Sequence, residues 1–248
     1  MKHTALITGA SRGIGAALAC RFAAEGYHLA LCCHNSYETL QALATKLKTT
    51  CSIQVLCFRG DVGDYTFICD MVQKTLDTFG QIDVLINNAG IFKNTDRDGR
   101  FRSVDAEDYW PGMNTNLKSS LLLSLSFVDY CKEAEIKGHI LNTSSVCGLF
   151  ESYGITPYGI SKAGVIEMTK QFAFTNKGIV TCNSIAPGSV ATVMGDLHTG
   201  SNIASYCSCN RHVTMTEEIA SLAALMCTDD MSEKLNGQTI KACACEKF

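Results

Sequence analysis

The segment "TGASRGIG", residues 8 to 15, sets three glycines between the β-prone run "HTALIT" (3 to 8) and a stretch of helical periodicity that starts at residue 13. Gly9, Gly13 and Gly15 fall where a chain leaving a strand must turn tightly and pass close to a ligand, an approach a Cβ would obstruct. Ser11, Arg12 and Ile14 fill the positions between them. The free N–H groups of a helix starting there favour an anion such as a pyrophosphate. A glycine-rich strand-to-helix turn can also serve packing alone, so the loop needs the rest of the chain to decide between dinucleotide binding and a structural turn.

Outward from that loop the chain alternates. Short β-prone runs, "HTALIT" (3 to 8), "HLALCC" (28 to 33), "IQVLCF" (53 to 58), "DVLIN" (83 to 87), "HILNTS" (139 to 144) and "IVTCNSIA" (179 to 186), are separated by helical stretches near 13 to 25, 36 to 48, 64 to 79, 114 to 135, 157 to 175 and 216 to 227. Alternation of this kind predicts βαβ units, a mainly parallel sheet and right-handed crossovers that place helices on both faces. The expected fold class is α/β, a single-domain Rossmann-type doubly wound sheet. No fixed-period repeat, low-complexity tract or linker divides residues 1 to 248. Residues 193 to 210 have the weakest pattern and are expected to form a mobile substrate loop.

Composition narrows the function. The chain has 248 residues, 46% apolar, with a net charge of -3, so it can bury a substantial core and shows no basic footprint for nucleic acid or an anionic membrane. No run approaches the roughly 20 apolar residues of a membrane span and nothing suggests export, so the expected location is cytoplasmic. The 14 cysteines are scattered through apolar segments such as "ALCC", "VLCF" and "ALMC", which reads as small core residues rather than a disulfide framework. Cys207 with Cys209 and Cys243 with Cys245 form two C-x-C pairs, but no histidine cluster at zinc-finger spacing accompanies them, and no metal is expected.

The spacing G-x-x-x-G-x-G, with its preceding threonine, resembles the short-chain dehydrogenase/reductase family. Three further segments in order carry the resemblance: "DV" at Asp61 and Val62, "NNAG" at 87 to 90, which includes Asn88, and "PG" at Pro187 and Gly188. The resemblance spans about residues 3 to 240. It implies that Asp61 and Val62 lie at the adenine, that "NNAG" joins sheet to cofactor, and that the loop carrying Val190 and Thr192 meets the nicotinamide. The overall pattern, with "ITGASRGIG", "YGISKAG" and "NSIAPGSVAT", is most similar to 3-oxoacyl-carrier-protein reductases. Such proteins are commonly tetramers built through the long helices near 114 to 135 and 157 to 175, so a homo-oligomer is expected. The ending "NGQTIKACACEKF" departs from the family's usual glycine-rich close.

The second strand bears on the choice of cofactor. An acidic residue at its end usually holds the ribose 2′-OH of NAD, whereas a basic neighbour accommodates the 2′-phosphate of NADP. Here the strand runs into Cys33, His34, Asn35 and Ser36, with no carboxylate, while Arg12 supplies a cation from the glycine loop. A guanidinium fork suits a phosphate, and His34 lies beside it, so NADP is expected over NAD.

The reacting groups centre on "PYGISK" (157 to 162). Tyr158 and Lys162 are four apart and share a helix face, which is also the commonplace outcome on an amphipathic helix. Ser145, in "NTSSVCG" just past a predicted strand, puts a hydroxyl at the C-terminal edge of the sheet where ligands bind. A tyrosine of ordinary pKa near 10 is only about one part in a thousand phenolate at neutral pH, and a lysine beside it is expected to lower that value. Carried over from the family, Tyr158 donates a proton to a carbonyl oxygen, Lys162 assists it and binds the nicotinamide ribose, and Ser145 orients the carbonyl. Asn116 in "MNTNLKSS" matches the family's fourth member, which anchors a water leading from the lysine to solvent; Asn114 does not. Tyr153 is a rival phenol whose i+4 neighbour is Pro157, and Ser144 is a rival hydroxyl. Trp110-Pro111-Gly112 is an unusual helix entrance. The expected function is NADP-dependent reduction of a small-molecule or carrier-linked carbonyl to a secondary alcohol. The alternative is a dinucleotide-sensing protein of the same fold that does no chemistry.

Overall fold

The computed structural model describes residues 2–92, 106–150, 156–195 and 213–243. Seven strands form one sheet: β1 (Thr4–Ile7), β2 (His28–Cys33), β3 (Val55–Arg59), β4 (Val84–Asn87), β5 (Gly138–Thr143), β6 (Val180–Pro187) and β7 (Thr239–Ala242). Their spatial order is β3-β2-β1-β4-β5-β6-β7, and every pairing is parallel. Because β1 has β2 on one side and β4 on the other, the chain reverses its direction of winding at β1. A crevice therefore opens above the C-terminal ends of β1 and β4.

Successive residues of a strand face opposite sides, and both sides are covered here. Ile7, Leu31 and Ile86 point into a core shared with Leu18 and Phe22 of α1 (Gly13–Ala24), Leu40 of α2 (Tyr37–Cys51) and Ala223 of α7 (Thr216–Met226). Leu6, Ala30 and Leu85 point the other way. They meet Ile68 and Met71 of α3 (Tyr65–Phe79), Phe127 of α5 (Ser119–Glu133) and Val165 of α6 (Thr156–Thr175). This is the doubly wound, three-layer sandwich expected from the alternation of elements. Two elements that the pattern did not display are β7, which has only four residues, and the short helix α8 (Asp229–Lys234).

The helix expected from residue 114 begins earlier and in two pieces. The segment α4 (Ala106–Met113) carries Pro111 inside it, a π-helical turn (Asn114–Lys118) follows, and α5 continues from Ser119. Proline removes a backbone donor and the π-turn adds one residue to a helical loop, so the two together re-aim the face that enters α5. Asn116 is thereby 1% exposed, while Asn114 faces solvent. Pro157 stands in the first turn of α6, where its missing N–H costs no helical bond. The rival Tyr153, the Cys207 and Cys209 pair, Cys245 and most of the 193 to 210 excursion lie outside the described residues. The described cysteines other than Cys243 are free thiols.

Candidate active site

The glycine loop closes over the end of β1. Gly9 and Gly13 hold φ of 64° and 55°, values that favour glycine. A Cβ on Gly9 would lie 2.9 Å from Ala89 Cα, and one on Gly13 would lie 3.2 Å from Thr192 Cγ2. The loop is braced by the segment after β4. The backbone N–H groups of Asn88 and Ala89 both donate to Thr8 Oγ1 at 3.0 Å, and the Asn88 side-chain amide donates to the carbonyls of Thr8 (3.0 Å) and Gly9 (3.2 Å). Thr143 donates to Asn88 Oδ1 at 3.4 Å, so the Asn88 side chain is spent on the protein and acts as a brace. At the start of α1, Arg12 makes no capping bond and the first turn has no acidic residue. The positive end of that helix therefore faces the crevice uncompensated, and a pyrophosphate fits it.

One cavity of about 1500 Å³ runs along the sheet edge. Its lining combines His34, Asp61 and Val62 from beyond β2 and β3, Gly9, Ser11, Arg12, Gly13, Ile14 and Gly15 from the glycine loop and the start of α1, Asn88 from beyond β4, and Ser145, Tyr158, Lys162, Val190 and Thr192, which define its inner end. Asp61 also accepts from Gly63 N at 2.8 Å in a local turn. Of the residues given a catalytic or cofactor-binding role from the sequence, Asn116 does not line this cavity and the others do.

Asn116 clamps the wall instead. Its Oδ1 accepts from Ile91 N at 2.8 Å, and its Nδ2 donates to Ile91 O and to Ser161 Oγ, each at 3.0 Å. Both amide protons are therefore used within the protein. The side chain fixes the segment after β4 to α6 through Ser161, whose own hydroxyl donates to Tyr158 O at 2.7 Å. Asn116 Oδ1 and Lys162 Nζ both stand against Gly90, at 3.4 and 3.5 Å from the position of an added Cβ. A bulkier residue than glycine would separate them.

The two serines have different partners. Ser144 donates to Ile185 O at 2.8 Å and accepts from Ser184 Oγ at 2.7 Å, so it is stitched to β6. Ser145 opens a short 3-10 turn (Val146–Gly148), accepts from Cys147 N at 3.2 Å, and its hydroxyl acts on the Tyr158 phenol. Strand alternation is not what separates them, since β5 ends at Thr143; sheet bonding decides. The Lys162 ammonium donates to Thr143 O at 2.7 Å and lies 5.7 Å from the centre of the Tyr158 ring. Phe92 meets that ring edge-on at 5.3 Å. Sequence reasoning passed over Thr143, Ser161 and Ile91. Thr143 and Ile91 act here through backbone atoms, which every residue possesses, so no side-chain pattern marks them.

The electrostatics correct one expectation. Tyr158 is not lowered by its lysine: burial pushes the phenol well above its ordinary 10, with a further push from Cys147, and only the Ser145 side chain opposes them. Lys162, 3% exposed, is itself pushed down by burial to about 8. Desolvation disfavours both charged forms, and at this depth it is the largest influence on each. A stability test follows from the lysine. Below about pH 8 the folded protein carries a buried ammonium at a cost. Between about 8 and 10.5 the unfolded chain binds more protons than the folded one, so stability rises with pH across that window. Lys162→Met removes the burial cost, at most about 3 kcal/mol, against about 1 kcal/mol for the stranded Thr143 carbonyl. The variant is expected to be about 2 kcal/mol more stable than wild type at pH 7 in urea unfolding, with the gain vanishing by pH 10.5. A less stable variant at pH 7 would contradict this account.

A doubly wound parallel sheet whose crevice holds an open helix N-terminus beside a buried Tyr-Lys-Ser cluster defines a nicotinamide-dinucleotide-dependent oxidoreductase. The short chain dehydrogenase family profile matches residues 3–200. A 3-oxoacyl-[acyl-carrier-protein] reductase of Synechocystis sp. is 32% identical over 239 residues, covering 96% of this chain and 94% of that protein. The succinyl-CoA dehydrogenase subunit BbsD of Thauera aromatica, which acts on a hydroxy(phenyl)methyl derivative by its name, is 34% identical and covers 78% of this chain and 75% of its own. Among solved structures, levodione reductase superposes with a TM-score of 0.87 at 27% identity, over 97% of this chain and 96% of the other. The chain belongs to the short-chain dehydrogenase/reductase family.

Proposed function

We propose that the protein reduces a carbonyl to a secondary alcohol with NADPH, as a 3-oxoacyl-carrier-protein reductase. The observation that carries the reading is the convergence of Ser145, Tyr158 and Lys162 at the inner end of the cavity, with burial holding the phenol in its protonated form. A phenol kept protonated is a loaded proton donor, which suits reduction. The nicotinamide supplies the hydride when bound. Ser145 and Tyr158 hydrogen-bond the carbonyl oxygen, and Tyr158 delivers its proton there as negative charge develops. Lys162, tied to Thr143 O, keeps two further N–H donors for the ribose and holds its charge beside the phenol. Asn116 keeps the Ile91 wall and α6 in register for this.

Arg12 at the cavity and the run Cys33, His34, Asn35, without a carboxylate, support NADP. Exposed apolar side chains at the open end, Ile91, Val193 and Met194, suit an acyl chain. The two relatives whose names state acyl-carrier-protein and CoA substrates point to a thioester as well. No helix among the described residues is long and apolar enough to cross a membrane; a cytoplasmic location is part of the same proposal and rests on the family resemblance alone. Loss of reduced-nicotinamide absorbance should be fast with a carrier-linked 3-oxoacyl thioester and NADPH, and slow with free ketones. No oxidation of NADPH by any of these would overturn the reading.

The homotetramer belongs to the same proposal. Leu121 and Leu125 of α5 and Ile160 and Phe174 of α6 are exposed, Phe174 to 85%. Light scattering is expected to give four times the chain mass, and Leu125→Arg with Phe174→Arg should lower it. A monomeric wild type would rule this out.

A further inference from the structure

We propose that Arg59, at the end of β3, joins Arg12 in a two-guanidinium clamp on the 2′-phosphate of NADP. The inference rests on the NADP reading above and adds a residue to it from a strand that the glycine-loop argument does not touch. β3 is the edge strand, and its register sets Arg59 opposite Cys33, the last residue of β2. Gly60 N donates to Cys33 O at 3.0 Å, so the two strand ends are tied together. Cys33, His34 and Gly60 line the same cavity as Arg12.

Side chains on one strand alternate, and Cys57 packs on the α1 and α2 side together with Cys33, so Arg59 stands on that side too. Its guanidinium acts electrostatically on the Cys33 thiol. Arg59 is exposed, and among the described residues neither it nor Arg12 makes an ion pair or a side-chain hydrogen bond. One carboxylate, Glu38 in the first turn of α2, acts on the same thiol and is ion-paired with neither arginine. The end of β2 therefore has the uncommitted guanidinium of Arg59 and one carboxylate beside it, and the cavity it lines holds the second uncommitted guanidinium, that of Arg12. Each fork can place parallel N–H donors on a phosphate, a ligand that a ribose hydroxyl cannot imitate.

The test is kcat/KM for NADPH and for NADH, with one carbonyl substrate, in the wild type, Arg59→Gln and Arg59→Lys. Arg59→Gln is expected to lower the NADPH/NADH ratio about tenfold, through KM for NADPH with kcat unchanged and the NADH constants unmoved; a merely structural residue would move both cofactors alike. Arg59→Lys, which keeps the charge and loses the fork, should fall between and carries the test should the glutamine variant fail to fold. In competition against NADPH, 2′-AMP should weaken in Arg59→Gln while 5′-AMP does not. A wild type that prefers NADPH together with an Arg59→Gln variant of unchanged ratio overturns the clamp alone. A wild type that prefers NADH overturns the NADP reading itself and points to Glu38 as a ribose acceptor.

Discussion

Tyr158→Phe is expected to lower kcat by at least roughly a thousandfold while cofactor affinity stays within about twofold of wild type. The substitution removes one oxygen and little else. The ring keeps its edge-on contact with Phe92 at 5.3 Å and its place beneath Lys162, so packing and the cavity wall survive. What goes is the proton delivered to the carbonyl oxygen and the hydroxyl on which Ser145 acts. General acid catalysis contributes about 10² to 10⁴ in rate, and no second phenol or imidazole among the described cavity-lining residues stands beside Ser145 to replace it. Steady-state turnover and a fluorescence titration with NADPH separate the two effects. A variant retaining a tenth of wild-type turnover would remove Tyr158 from the reaction. Unchanged biological output from an inactive variant would instead favour the sensor alternative, which none of the comparisons supports.

Gly15→Ala should weaken dinucleotide binding by roughly a hundredfold or more, about 3 kcal/mol. A methyl group there would run into the Gly9 carbonyl oxygen, and it would come 2.8 Å from the Gly9 carbonyl carbon and 2.6 Å from Asn88 Nδ2. Two of those atoms are backbone and cannot rotate away, so the loop must open or the Asn88 brace on Thr8 and Gly9 must break. Either movement displaces the N–H groups at the start of α1 that face the pyrophosphate. Overpacking of this sort also costs about 1–3 kcal/mol of stability. Gly112→Ala is the control: an added Cβ there meets nothing within 4 Å, and Ala is the better helix former. Calorimetric titration with NADPH should show the first variant impaired and the second unchanged; equal affinities would separate the glycine loop from the cofactor.

Much of the molecule was legible because its elements announce themselves locally. "HLALCC" occupies residues 28 to 33 in the sequence reading and in the sheet alike, since a continuous apolar run buried on both faces needs no tertiary information to be recognised. β7 was missed because "TIKA" has a charged member and only four residues, and it becomes a strand by pairing with β6. The long helix before β5 was read as starting at 114 because Pro111 and Gly112 look like a break. Tertiary packing holds a helical segment before them, and a π-turn absorbs the mismatch.

The site divides in the same way. Ser145, Tyr158 and Lys162 were identifiable as a set because their spacing and order resemble a family pattern, and the glycine loop because only glycine fits its backbone. The sequence by itself determined the doubly wound order of elements, the residues that reach the crevice and the absence of a carboxylate at the end of β2. Only the tertiary structure decided that Ser144 belongs to the sheet and Ser145 to Tyr158, that Asn116 grips Ile91 and Ser161 with both amide protons, and that burial dominates at the phenol. Only the sheet register brings Arg59 to Cys33. Hydrogen-bond partners, desolvation and cross-strand neighbours are properties of groups far apart in the chain, and they come into being only when the fold puts those groups in contact.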